Sequence, residues 1–234
     1  MSASWSSSMG RIMTGWRVAT RRVLMAYIDD ASSRVFARFY DHEGTIPAME
    51  SFQRYVRRYG LPLALYADKH TTYRSPAEPT VAEHLVGTEP QSQFGRALRE
   101  LGVELIAAHS PQAKGRGERL FRTCQDPLIK ELRLAGVTTL EEANRFLEGC
   151  LPRYNRQFVV SPVQTADLHR PPPTVRELEK SVCLKTTRCL RKDFTIAHAG
   201  RLYQIHDTVR ATYVQVEARL EGTLRLTHQG WRLA

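Results

Sequence analysis

Short apolar runs that alternate with segments of helical period restrict this chain to an α/β architecture. Val23–Ile28 is a continuous apolar run that ends at Asp29-Asp30, and Val35–Tyr40 is a second. Between them Asp29-Asp30-Ala31-Ser32-Ser33-Arg34 has turn chemistry, which predicts a β-hairpin. Ile46, Met49, Phe52, Val56 and Tyr59 then recur at three- and four-residue intervals, with Thr45 placed to cap this helix and Gly60 to end it. Residues 63–67 form a short buried strand leading into Asp68. A helix over 92–101 stops at Gly102, and residues 103–108 make the next strand. Strand, helix, strand, helix in succession calls for parallel pairing around right-handed crossovers. Further helices are expected at about 116–134 and 139–156.

The flanks differ from this body. Residues 1–21 are rich in Ser, Gly and Arg without helical or strand period, and are expected to be irregular and poorly ordered. Residues 70–90 carry three prolines and read as an irregular insertion. Pro171-Pro172-Pro173 opens a stiff linker over 171–180. Beyond it, short runs with turn signals at about ten-residue spacing predict a small β-barrel over 181–234, with Tyr203 and Trp231 in its core. The expected organisation is therefore an irregular 1–21, an α/β core over 22–170, the linker, and the barrel.

Net charge is +10, and it sits at the ends. Residues 1–28 hold four Arg and no acid, and residues 175–234 hold eleven basic against six acidic residues. A nearly neutral body with basic flanks suits a polyanionic partner, nucleic acid before membrane. The four cysteines, Cys124, Cys150, Cys183 and Cys189, have neither C-x-x-C spacing nor zinc-finger histidines, and read as reduced thiols. No apolar run approaches the roughly 18 residues of a transmembrane helix, and the N-terminus lacks a signal-peptide pattern, so a cytoplasmic protein is expected.

Two acids stand out by position. Asp68 ends a strand, and Glu118 enters the first turn of a helix 50 positions later (118 minus 68). Carboxylates on separate elements can converge on divalent cations held roughly 3.5–4 Å apart. Lys114, Arg116, Arg119 and Arg122 surround Glu118, an arrangement that suits a phosphate backbone lying against the same helix. Asp126 and Glu131 lie too far along that helix to share an ion with Glu118 easily. His70 and His109 flank the two acidic segments. A third carboxylate is missing, because no Asp or Glu precedes Asp29.

Five segments together carry a family resemblance. They are Tyr27-Ile-Asp-Asp-Ala-Ser-Ser-Arg34, Ala64-Leu-Tyr-Ala-Asp-Lys-His70, Gln93-Phe-Gly-Arg-Ala-Leu98, Ser110-Pro-Gln-Ala-Lys-Gly-Arg-Gly-Glu-Arg119 and Lys130-Glu-Leu-Arg-Leu-Ala-Gly136. From about residue 23 onward the chain resembles the integrase-core transposases of bacterial insertion sequences, the ISNCY group most closely. The resemblance implies an RNase H-like core with an incomplete first strand, then a basic β-barrel that binds DNA. It implies a DDE site in which Asp68 and Glu118 hold Mg²⁺ or Mn²⁺, which cuts double-stranded DNA at element ends and joins the 3′-hydroxyl to a target. A homo-oligomer assembled on DNA is implied as well.

The departure from the family is equally local. Its first catalytic Asp lies on a strand that would fall within residues 1–22, where no acid occurs. Asp29 and Asp30 are the nearest substitutes, and in the family this pair is a turn element. The family's N-terminal helix-turn-helix is also not found, so a truncated or frame-disrupted copy is expected. Impaired strand transfer is the first functional reading. A catalytically inactive DNA-binding remnant that associates with an intact copy is the second. A different RNase H-like nuclease is the third, and it lacks a complete carboxylate triad.

Overall fold

The computed structural model describes residues 9–12, 23–29, 31–67, 91–107, 128, 130–159 and 169–234. They divide into two units, Met1–Pro173 and Thr174–Ala234.

Among the described residues the first unit has five strands. β1 (Met9–Ile12) lies inside the stretch expected to be irregular. β2 (Val23–Ile28) and β3 (Val35–Tyr40) form the expected antiparallel hairpin, with Val23 opposite Tyr40 and Ile28 opposite Val35. β4 (Ala64–Ala67) pairs in parallel with β1 on one side and with β5 (Glu104–Ala107) on the other. β2 lies alongside β1. In space the strands therefore run β3, β2, β1, β4, β5, with the first strand present over four residues.

Helix α1 (Thr45–Tyr59) ends where expected, at Gly60 with φ 92°. Its N-cap is Gly44, and no side chain caps it, so Thr45 does not play the capping role expected of it. Tyr27 joins α1 to β2. Its ring stacks on Tyr55 at 4.9 Å, and its hydroxyl lies 2.9 Å from Ser51 Oγ, which in turn donates to the Ala48 carbonyl. Phe52 meets Phe94 edge-on at 5.8 Å, which seats α2 (Gln93–Glu100) against α1. Ser92 caps α2 by accepting from the Gly95 amide. Residues 130–134 are helical, and residues 116–127 of the helix expected there lie outside the described residues.

α3 (Leu140–Phe158) closes the outer edge of the sheet. Asn144 Oδ1 accepts from the Phe39 amide at 2.8 Å, and its Nδ2 donates to the Phe39 carbonyl at 3.1 Å. Asn155 repeats both bonds on Val35, each at 2.9 Å. The two asparagines are 11 residues apart (155 minus 144), about three helical turns, and so share one face. Side-chain amides thus occupy backbone positions that another strand would otherwise pair. Leu132, Ala143 and Leu147 pack on Ala26, Ala37 and Phe39 beneath them.

The second unit starts at a helix where a linker was expected. Thr174 and Glu177 form a capping box, the Glu177 carboxylate accepting from the Thr174 amide at 2.9 Å, and α4 (Val175–Ser181) follows. Strands β6 (Leu184–Cys189), β9 (Tyr213–Ala218), β10 (Leu224–His228) and β11 (Trp231–Leu233) make an antiparallel sheet in the order β11-β10-β9-β6. β7 (Thr195–His198) and β8 (Arg201–Gln204) form a hairpin. Both sheets contribute to one core around Ile196, Ile205, Val214 and Val216, and Tyr203 packs on it as expected. Trp231 does not. It is 78% exposed, because it lies at the turn end of the short terminal strand, where only Leu233 reaches the core. Glu217 and Arg219 form a buried ion pair at 3.0 Å.

Removing the Asn144 amide leaves a buried N–H and C=O on Phe39 unpaired. Asn144→Ala should lower stability by about 2–4 kcal/mol, read from the urea midpoint. Asn155→Ala should cost less, because that site is only half-buried.

Glu142 supplies a pH signature. The Thr138 and Thr139 amides donate to its carboxylate and lower its pKa from 4.5 to about 2. A depressed carboxyl pKa stabilises the fold above the unfolded value, and that contribution is lost as pH falls toward the folded value. Glu142→Gln should therefore lower the urea midpoint at pH 7. The difference from the native chain should close as pH falls from about 4.5 to about 2.

Candidate functional site

Parallel pairing brings three strand ends together. The register sets Ile12 beside Ala67 and Ala67 beside Ala107, so β1, β4 and β5 finish at one edge of the sheet. The carboxyl edge of such strands is where α/β folds place their chemistry, since side chains emerging there are free of the ladder. Buried Ala67 closes β4, and Asp68 is the next residue of the chain.

Most residues singled out in the sequence lie outside the described residues. These are Asp68, Glu118, Lys114, Arg116, Arg119, Arg122, Asp30, Asp126, His70 and His109. Asp29 and Glu131 are described, and each has local partners. The Asp29 carboxylate accepts from the Ala31 amide at 3.2 Å and from the Ser32 hydroxyl. Its backbone closes the same turn, with its amide bonded to the Arg34 carbonyl and its carbonyl to the Ser33 amide. Ser33 takes φ 59° to complete the reversal. Both carboxylate oxygens of Asp29 thus serve the hairpin. Glu131 forms a surface ion pair with Arg153 at 3.2 Å.

A divalent cation for phosphoryl transfer is held by hard oxygen ligands, chiefly carboxylates. The strand beside β4 offers Met9, Gly10, Arg11 and Ile12, none of them an acid. Among the described residues no group of three or more His, Cys, Asp or Glu is placed to hold a metal ion. The donors described therefore do not fit a two-metal centre.

Asn144, Asn155 and Arg170 hold this sheet away from that edge and carry no sequence signal, the two asparagines on the outer strand β3 and Arg170 beside Leu61 and Leu101–Gly102, which precede β4 and β5. Each bonds to backbone 68 or more positions away. Among the described residues, no helix is long and apolar enough to cross a membrane.

With this arrangement in view, one solved structure is informative. A chain of the simian T-cell lymphotropic virus intasome, determined in complex with PP2A regulatory subunit B56 gamma, superposes with a TM-score of 0.50 over 96% of this chain and 76% of its own, at 14% identity. The core has the RNase H-like integrase fold. In sequence, this chain is 34% identical over 220 residues to y4bF of Sinorhizobium fredii, named as a putative transposase. That match covers 90% of this chain and 46% of the relative. It is also 36% identical over 132 residues to the transposase for insertion sequence IS1202 of Streptococcus pneumoniae, covering 56% of this chain and 28% of that protein. The chain thus spans less than half the length of either relative. No protein-family model matches it.

Asp29→Ala should cost about 1–2 kcal/mol through loss of its turn bonds. Added Mg²⁺ should shift the melting temperature of the variant and the native chain equally, as befits a carboxylate engaged in a turn rather than an ion.

Proposed function

We propose that this chain belongs to the integrase-type insertion-sequence transposases, of the ISNCY group, and that it binds DNA but is impaired in cutting it. The observation that carries the reading is the parallel β1–β4–β5 edge, where β4 leads directly into Asp68 while β1 brings no acid. Likeness to two transposases and to an integrase chain supports the assignment of class. In this reading Asp68 and Glu118 are the remaining ligands for Mg²⁺ or Mn²⁺. In an intact site the cation supplies activation of the attacking hydroxyl and stabilisation of the leaving oxygen. With two carboxylates and no third, less negative charge remains to hold it, and strand cleavage and transfer fall.

The rest of the proposal concerns DNA. Lys114, Arg116, Arg119 and Arg122 contact the phosphate backbone of element ends and target, and the basic second unit adds to that contact. Several copies assemble on the DNA, in the cytoplasm. A chain that retains binding without cutting would join or compete with an intact copy, which is the second reading, favoured by the acid-free β1.

We further infer that residues 1–21 were translated from an unintended frame. The genetic code makes this checkable. Met13-Thr14 is encoded by ATG followed by ACN, so one of the other two forward frames reads TGA there, a stop. The remaining frame reads GAC, aspartate, immediately after the end of β1. The underlying DNA should be open in that frame across this stretch. A stop codon within it removes the frame argument.

The decisive experiment incubates the chain with DNA bearing the ends of its element and Mg²⁺ or Mn²⁺, beside Asp68→Asn and Glu118→Gln. Binding without cutting is expected. Affinity should fall steeply with salt as condensed counterions are displaced, and the double substitution Arg116→Ala/Arg119→Ala should lower the slope of log K against log salt by about 2. Robust nicking abolished by Asp68→Asn would overturn the impairment. A binding constant indifferent to salt would overturn the DNA reading.

A further inference from the structure

We propose that one face of the β11-β10-β9-β6 sheet binds an unpaired strand of DNA, with Tyr213 stacking on a base and Lys185, Arg225 and Arg232 meeting the phosphates. This rests on the DNA reading above and adds to it the face and the state of the strand. Side chains alternate across a strand, so the sheet has two distinct faces. One is the core face, to which Val214 and Val216 of β9, Leu224 and Leu226 of β10 and Leu233 of β11 all contribute. The alternate residues make the other. Register sets Lys185 and Arg225 on either side of Glu217, and Thr187 and Thr227 on either side of Gln215. Arg232 stands beside Thr227, and Cys189 beside Tyr213. Toward the Tyr213 end this face is open, with Thr187, Tyr213, Gln215 and Arg232 exposed.

Charge and shape select the ligand. Glu217 is the acid of this face, and its buried ion pair with Arg219 at 3.0 Å already answers it. Lys185, Arg225 and Arg232 then give a positive excess spread over three strands, which favours a polyanion. Glu221 lies in the turn beyond the face and accepts from the Thr223 hydroxyl at 2.9 Å. Neighbouring strands stand about 4.8 Å apart, so four strands span about 14 Å, wider than the roughly 12 Å major groove. The face is therefore too broad to enter a duplex and read its base edges. Stacking within a duplex also hides the planes of the bases, which would leave the Tyr213 ring only sugar and phosphate to touch. That ring is 58% exposed among hydroxyl and amide side chains. An unpaired strand offers it a base plane, offers base edges to Gln215 and Thr187, and lays its phosphates along the cations. The main chain of Tyr213 is held independently of the ring, by the ladder to Cys189 and by His228 Nδ1, which lies 3.2 Å from its carbonyl.

The test follows the fluorescence anisotropy of one labelled oligonucleotide, single-stranded or in duplex, with the full native chain, Tyr213→Ala, Tyr213→Phe and the double substitution Arg225→Gln/Arg232→Gln. The native chain should prefer the single strand. Tyr213→Ala should weaken single-strand binding by roughly ten- to hundred-fold, the worth of one stacked base, and weaken duplex binding far less. Tyr213→Phe keeps the ring and should keep the affinity, which separates stacking from damage to the fold. The double Arg substitution should lower the single-strand slope of log K against log salt by about 1.4, two phosphates at about 0.7 each. If Tyr213→Ala weakens neither form, or both equally, this inference is overturned and the DNA reading stands. An unchanged salt slope in the double variant overturns the assignment of the cations. A native chain that binds neither form overturns the DNA reading and this inference with it.

Discussion

The core depends on how the outer edge of its sheet is closed. Among the described residues β3 has no strand on its far side, and an open edge exposes backbone donors and acceptors to any strand that comes near. α3 closes it with side chains, Asn144 on Phe39 and Asn155 on Val35, each amide offering one donor and one acceptor. A helix packed on a sheet by apolar contacts alone can slide by a residue with little penalty. Four directional bonds set its register. That register brings Leu147 and Ala143 onto Phe39 and Ala37, so the apolar core beneath α3 follows from the polar clamp above it.

The opposite side of the unit is organised by a different device with the same logic. Arg170 satisfies carbonyls that end α2, and its backbone pairs with Leu61 just before β4. Helix ends and strand starts meet there, and each leaves unpaired backbone groups. Gly60 and Gly102, both at positive φ, leave the space that this segment fills, since a Cβ on either would meet Arg170. A residue from far along the chain thus pairs with those groups. Between these two clamps the parallel strands are held so that their carboxyl ends coincide, which is what makes that edge a plausible place for chemistry.

The candidate site rested in the sequence on residue types and positions, Asp68 after an apolar run and Glu118 after a basic, Gly-containing loop, and both residues lie outside the described ones. The structure bears on the strand alone, with buried Ala67 closing β4 directly before Asp68. The fate of Asp29 was legible only in part. Its sequence context, Asp-Asp-Ala-Ser-Ser-Arg, says turn, but the commitment of both carboxylate oxygens to Ala31 and Ser32 is a matter of coordinates. Trp231 was misread because aromatic residues in short strands usually face a core, whereas the last strand here is three residues long and reaches the core only at Leu233.

The sequence by itself determined the local elements: the β2–β3 hairpin, α1 ending at Gly60, β4, α2 stopping before Gly102, and β5. Each follows from periodicity, cap and turn chemistry within about fifteen residues, and each was found where the pattern put it. Only the tertiary structure decided β1. Met9-Gly10-Arg11-Ile12 has no strand pattern of its own, and it becomes a strand because β4 offers it an unpaired ladder in parallel register. The same is true of the asparagines on α3 and of Arg170. Their partners lie 68 to 120 positions away in the chain, and pairing over such distances is decided by packing, which composition and period do not encode.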